Sequence, residues 1–134
     1  MQEKPKVGRV GEIQFTVDKQ HAIDFAGDGM PAILSTPWLI WFMEHAAREA
    51  MLPLLDPDES TVGVVVNIEH LAATPLGQRV TCTARVINID GPLISFSLDA
   101  RDEQEMISRG THKLRVIRKS HLARRILAKA QRMS

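Results

Sequence analysis

Residues 38–43 read Trp-Leu-Ile-Trp-Phe-Met with no polar interruption, and the three residues ahead of them are Ser35, Thr36 and Pro37. A hydroxyl side chain accepts an orphan N–H of a first helical turn, and proline is preorganised for the first helical position. The stretch therefore predicts a helix capped by either Ser35 or Thr36. A helix that is apolar all round has no solvent face, so residues 38–43 require other structure wrapped about them. Further on, His45, Arg48 and Glu49 restore a polar stripe, and LPLLDPDES, with Pro53 and Pro57, ends the helix.

The wrapping has to come from the segments on either side. Residues 8–17, GRVGEIQFTV, suit a first strand by their β-branched and aromatic content. DKQHAIDFAG reads as a helical turn ending near Gly27, and GDGMPAIL as a loop. Four extended segments follow the helix: TVGVVVNIEH, QRVTCTARVINI, LISFSLDAR and MISRGTHKLRVI. Alternation is clearest in Ile94, Phe96, Leu98 and Ala100 against Ser95, Ser97, Asp99 and Arg101, the mark of a half-buried antiparallel strand. Asp90-Gly91-Pro92 and residues 102–105 supply hairpin turns.

The terminal SHLARRILAKAQRM places Leu122, Ala123, Ile126, Leu127, Ala130 and Met133 on one helical stripe with basic residues opposite. The plain reading packs that stripe on this domain or on its twin. One strand, one buried helix, four antiparallel strands and a final helix bury what must be buried only if one twisted sheet curls about the central helix. That is an α+β chain of hot-dog architecture. It makes residues 1–134 a single domain, with a core at about 8–117 and a basic C-terminal helix at 119–133.

Composition narrows the setting. A single cysteine, Cys82, excludes an intrachain disulfide framework and fits a reducing cytoplasm. The charged start MQEKPKVGRV lacks a secretory h-region, and no segment approaches the roughly 20 apolar residues of a membrane span. The net charge is +1, yet Arg118, Lys119, Arg124, Arg125, Lys129 and Arg132 come with no acid among them. Such a tail can meet phosphate, anionic lipid or an acidic partner.

Five histidines invite a metal, but no HExxH, cysteine pair or i, i+4 histidine pair is present, so no metal site is expected. A GxSxG elbow and a phosphate-binding glycine loop are also missing. What remains are polar groups set in apolar surroundings: Thr36, Glu44 two turns later, and His70 at the end of a strand. Each has a structural explanation as well. Thr36 serves as a cap, Glu44 pairs with Arg48 at i, i+4, and His70 is a hydrogen-bonded strand-end residue. At about 100° per residue Glu44 lies some 80° round from Thr36, on the border of the apolar face. His45 projects into the polar stripe and reads as surface.

STPWLIWFMEHAAREAMLPLL, TVGVVVNIEHLAATPLGQRVTCTARV and SRGTHKLRVI together resemble the hot-dog thioesterases of the fluoroacetyl-CoA thioesterase type, over residues 10–117. The resemblance implies hydrolysis of an acyl-CoA thioester by a catalytic group of Thr36, Glu44 and His70. It implies His70 as general base on water, with Glu44 orienting that imidazole or attacking the carbonyl, and Thr36 as a hydrogen-bonding partner. It also places Gly63 beside the thioester and makes Met30 a substrate contact. Arg79, Arg109, Lys113, Arg115 and the basic tail are the candidates for the rim that meets the phosphates of coenzyme A, with Arg109 taken as a substrate contact. The fluoroacetyl-specific branch covers its acyl pocket with aromatic residues, whereas this chain has Gly27, Asp28, Gly29 and Met30 there, so another short or medium acyl group is implied. A homodimer with sites at the interface is expected, with no cofactor beyond the CoA of the substrate and no nucleic-acid partner. The alternatives are a non-catalytic acyl-CoA-binding protein and a hydratase, which would need an aspartate-histidine pair.

Overall fold

The computed structural model describes residues 1–133. Its elements run β1 (Val10–Thr16), α1 (Thr36–Met51), β2 (Glu59–His70), β3 (Arg79–Asp90), β4 (Leu93–Arg101), β5 (Met106–Arg118) and α2 (Lys119–Arg132). One five-stranded sheet has the order β1-β3-β4-β5-β2, and every neighbouring pair is antiparallel.

Alternation decides which face of each strand turns inward. Ile94, Phe96, Leu98 and Ala100 of β4 are buried, as are Val80, Cys82, Ala84 and Val86 of β3. Leu39, Met43, Ala46, Ala47, Ala50 and Met51 of α1 meet them. Full burial of a large apolar side chain stabilises the fold by roughly 1.5–3 kcal/mol relative to exposure. Where α1 crosses β1 the backbones nearly touch: a Cβ on Gly11 would strike the Ala46 carbonyl and the Ala50 backbone. Small residues at 46, 47 and 50 are what bring the helix down onto the sheet.

Two expectations are corrected, and a third is narrowed to one of its two forms. Residues 18–27 do not form one helical turn; a single 3-10 turn spans Lys19–His21, and the chain then runs extended through a bridge between Ala22 and Leu34. Asp18 starts that turn as its N-cap, its side chain accepting from the Lys19 N–H while its own N–H donates to Nδ1 of His21, and the turn ends at Ala22, where the backbone becomes extended. Nor is α1 wrapped on all sides. A single sheet covers one side of a helix, and Trp41 is left 45% exposed. The stripe of α2 does not bury itself on its own domain: Leu122, Ile126, Leu127 and Met133 are exposed. Asp58 fixes where α2 begins, its carboxylate accepting from the N–H and hydroxyl of Ser120.

The sheet has two edges, β1 and β2. Strand β2 is 12 residues long, its free edge unpaired, with Val64 and Val65 47% and 49% exposed. A long apolar edge of that kind is a template for pairing with another strand. Among the described residues, no helix is long and apolar enough to cross a membrane.

Candidate active site

The start of α1 assigns its two hydroxyls different work. Ser35 is the N-cap, its Oγ accepting from the N–H of Trp38 at 3.4 Å. That leaves the Thr36 hydroxyl to another partner, and it lies 2.8 Å from Nδ1 of His70. The strand-end imidazole is held there because the loop after it is tethered. Leu71 donates its N–H to the Ile107 carbonyl, and buried Thr74 donates its hydroxyl to Asp102 at 2.9 Å. The sequence ATPLG at 73–77 is therefore structural, a brace for the histidine that precedes it. Burial pulls the pKa of His70 below the ordinary histidine value, partly offset by the nearby Ala72 backbone. Its Nε2 is buried with no hydrogen-bond partner. Thr36 and His70 share a cavity with Ile33 and Ala72, and Thr36 also lies on the wall of a cavity of about 420 Å³ lined by Ile23, Phe25 and Trp38.

Glu44 lies elsewhere on the same helix. It lines a cavity of about 270 Å³ with His45, Arg48, Gly63, His112 and Leu114. The i, i+4 pair with Arg48 does not form; Arg48 instead donates to the hydroxyls of Ser60 and Thr61 at 3.0 and 3.2 Å. Gly63 sits directly over the carboxylate, and a Cβ there would lie 2.9 Å from Oε1 of Glu44. Within one chain, then, the two groups are apart. Gly63 and His70 are separated by seven residues of extended strand, roughly 23 Å at about 3.3 Å per residue.

The remaining sequence-named residues are peripheral in this chain. Met30 is 42% exposed on a tight turn, exchanging backbone hydrogen bonds with Gly27. Arg109 sits beside Glu69 at 3.8 Å with both side chains mostly in solvent, a pair worth about 0–1 kcal/mol. Two residues were passed over. His45, read as surface, is half-buried, stacked on Trp41 with ring centroids 3.7 Å apart, and lines the cavity with Glu44. His112, counted only as a candidate metal ligand, is buried, with Nδ1 2.9 Å from the Val65 carbonyl. Burial lowers its pKa, opposed by the Val65 carbonyl and by the Glu44 charge. A signal was available: in GTHKLRVI, position 112 alternates in step with Leu114 and Val116 and so faces inward. Among the described residues no cluster of His, Cys, Asp or Glu could hold a metal ion.

A single curled antiparallel sheet on one helix, with polar groups at the helix start and midpoint, defines a hot-dog protein of the thioesterase class. More particularly, the chain belongs to the fluoroacetyl-CoA-specific thioesterase family, whose model matches residues 17–120. A fluoroacetyl-CoA thioesterase from Streptantibioticus cattleyicolor is 37% identical over 87 residues, covering 65% of this chain and 63% of that relative. The match thus spans less than two thirds of the relative's length. A solved structure of a fluoroacetyl-CoA thioesterase superposes with a TM-score of 0.87 at 28% identity, covering 95% of this chain and 98% of the other. A hot-dog-like protein from Thermanaerovibrio acidaminovorans, with a TM-score of 0.83, 23% identity and coverage of 92% and 91%, shares the fold.

Proposed function

We propose that the protein hydrolyses a short- or medium-chain acyl-CoA thioester to the free acid and CoA, and that it does so as a homodimer. The observation that carries this reading is the Thr36–His70 hydrogen bond beside a buried imidazole nitrogen with no partner of its own. A buried polar atom of that kind is costly unless something is built to meet it.

The dimer supplies the missing carboxylate. Gly63 and His70 lie on one free edge strand, so a twofold axis near its midpoint, between Val66 and Asn67, pairs the two copies of β2 antiparallel. Gly63 and Glu44 of one copy then approach Thr36 and His70 of the partner subunit. In the reaction, Nδ1–H of His70 donates to Thr36 and the bare Nε2 takes a proton from water. The water oxygen bonds to the acyl carbon, and the oxyanion is held by the N–H of Thr36, the first-turn donor left over beside Pro37, which has none, and Trp38, which donates to Ser35. Collapse breaks the C–S bond, and the thiolate leaves with the proton that the imidazole accepted. Glu44 stabilises the imidazolium while it exists.

Water and the protein's own groups suffice for these steps, so the reading needs no cofactor. The space of about 420 Å³ beside Thr36 supports an acyl group longer than two carbons. Arg109, opposite Glu69 near the His70 end of β2, is the residue proposed to meet a CoA phosphate. The cytoplasm fits the lone thiol, which is buried and pushed up to about 12, out of reach of disulfide exchange.

The test is release of free thiol from a panel running from acetyl- to octanoyl-CoA. Turnover on one part of the panel is expected, with Glu44→Gln slower by about 100-fold or more. Binding without turnover at any chain length would make the protein a non-catalytic acyl-CoA binder.

A further inference from the structure

His112 faces the same cavity as Glu44, yet nothing in the Thr/Glu/His reading uses it. Its geometry specifies what it can do. A carbonyl only accepts, so the 2.9 Å contact with Val65 requires the proton on Nδ1. When the ring is neutral, Nε2 is then a bare acceptor. The ring is locked in place by the Val65 contact and by Phe96, stacked behind it with centroids 6.3 Å apart. Its Cε1, the atom between the two nitrogens, approaches to 3.5 Å the point where a Gly63 Cβ would stand, and Oε1 of Glu44 approaches the same point to 2.9 Å. A neutral imidazole acceptor and a carboxylate acceptor therefore converge under a glycine that leaves room between them. Two acceptors cannot bond each other; what joins them is a donor, and water is the small donor that the reaction consumes.

We propose that His112 is a positioning residue for the hydrolytic water, accepting a hydrogen bond at Nε2 from one of its O–H groups while His70 of the partner subunit takes the proton of the other. This rests on the thioesterase reading above. The water is then held by one nitrogen from each subunit, with its lone pair free for the acyl carbon and the Glu44 charge alongside. His112 stays neutral throughout, since the proton that leaves the water goes to His70 and onward to the thiolate. The bulge between Gly63 and Val65 is what permits this, because it interrupts the ladder so that the Val65 carbonyl can meet a ring nitrogen.

Two substitutions separate this role from a merely structural one. Asparagine at 112 can place its amide near Nδ1 and keep the Val65 contact but offers the cavity nothing; glutamine can reach the Nε2 position with a carbonyl oxygen that accepts from water. The expected result is that His112→Asn lowers kcat about 100-fold with KM changed by less than about threefold, while His112→Gln retains kcat to within about 10-fold. Both variants are compared with the parent by thermal melting and by thiol release from the best substrate of the wild-type panel. An Asn variant as active as the parent, or one in which Asn rescues and Gln does not, would overturn the inference and leave the thioesterase reading intact. Absence of thiol release by the parent protein on every acyl-CoA would sink both.

Discussion

At the scale of single residues, the site is built from groups whose hydrogen bonds leave one valence unspent. Ser35 takes the capping duty, which leaves the Thr36 hydroxyl for His70. His70 and His112 each commit Nδ1 to a fixed oxygen and turn the other nitrogen away from it. Burial lowers the pKa of both, and that has a consequence for stability. A histidine whose folded pKa lies below its unfolded value of about 6.5 binds more protons in the unfolded chain as the pH falls, so acid favours unfolding. The raised pKa of the Met1 amino group acts in the opposite sense, but only in alkali, and the lowered pKa values of Asp58 and Glu59 act at lower pH. The melting temperature is expected to fall steadily as the pH is taken from about 7.5 to about 5.5, by differential scanning fluorimetry in a fixed ionic strength. A melting point that stays level or rises over that range would show that folding does not lower the pKa of the two imidazoles.

At the scale of elements, β2 carries two parts of the proposed site at separate points along one strand, and Gly63 marks the one beside Glu44 and His112. Any side chain there would press on Oε1 of Glu44 at 2.9 Å and 3.5 Å from Cε1 of His112. Gly63→Ala is expected to lower kcat about 10- to 100-fold by shifting the carboxylate, while the melting temperature stays close to that of the parent because the atom it meets is the far end of the flexible Glu44 side chain, which can move aside. Steady-state kinetics beside a thermal melt checks it; equal losses of fold and activity would make Gly63 a structural residue only. The same strand shows what a linear reading can and cannot reach. The strands and α1 were legible because period-two alternation and the Ser-Thr-Pro start are local signals, and Thr36, Glu44 and His70 could be singled out from residue type, Gly63 only through the family resemblance. The shortness of the Lys19–His21 turn was not legible, since the chain leaves it at Ala22 to bridge Leu34, a partner distant in sequence. Nor was the exposure of Trp41, because a run of apolar residues says that a helix face must be covered and not whether its own chain covers it. His112 escaped because spacing searches look for neighbours in sequence, whereas it meets Glu44 across α1 and β5; His45, the next residue to Glu44 on α1, reads as surface from helical phase alone, which does not show that Thr61 and Gly63 of β2 line the same cavity.

For the whole molecule, the decisive fact is that one chain holds the parts of the proposed site in two places: the Glu44, Gly63 and His112 cavity at one end of β2, the Thr36–His70 pair at the other. Antiparallel pairing of two β2 strands would bury the exposed Val64 and Val65 and close an unprotected edge, so the step that removes an aggregation hazard also assembles the chemistry. Assembly across a twofold axis makes a prediction that a site within one chain cannot. Glu44→Gln and His70→Ala are each expected to be nearly inactive, since every site in either homodimer lacks one group. When the two are unfolded together and refolded as a mixture, a heterodimer has one site that carries both lesions and one that carries neither. Random pairing makes half the dimers heterodimers with one sound site in two, so roughly a quarter of the wild-type activity should return. Thiol release measured on the mixture, with each variant refolded alone as control, reads this directly. Recovery near that fraction requires Glu44 and His70 to act from different chains. No recovery, from a mixture shown by tagged subunits to contain heterodimers, would mean that both act from one chain and that β2 does not pair across such an axis.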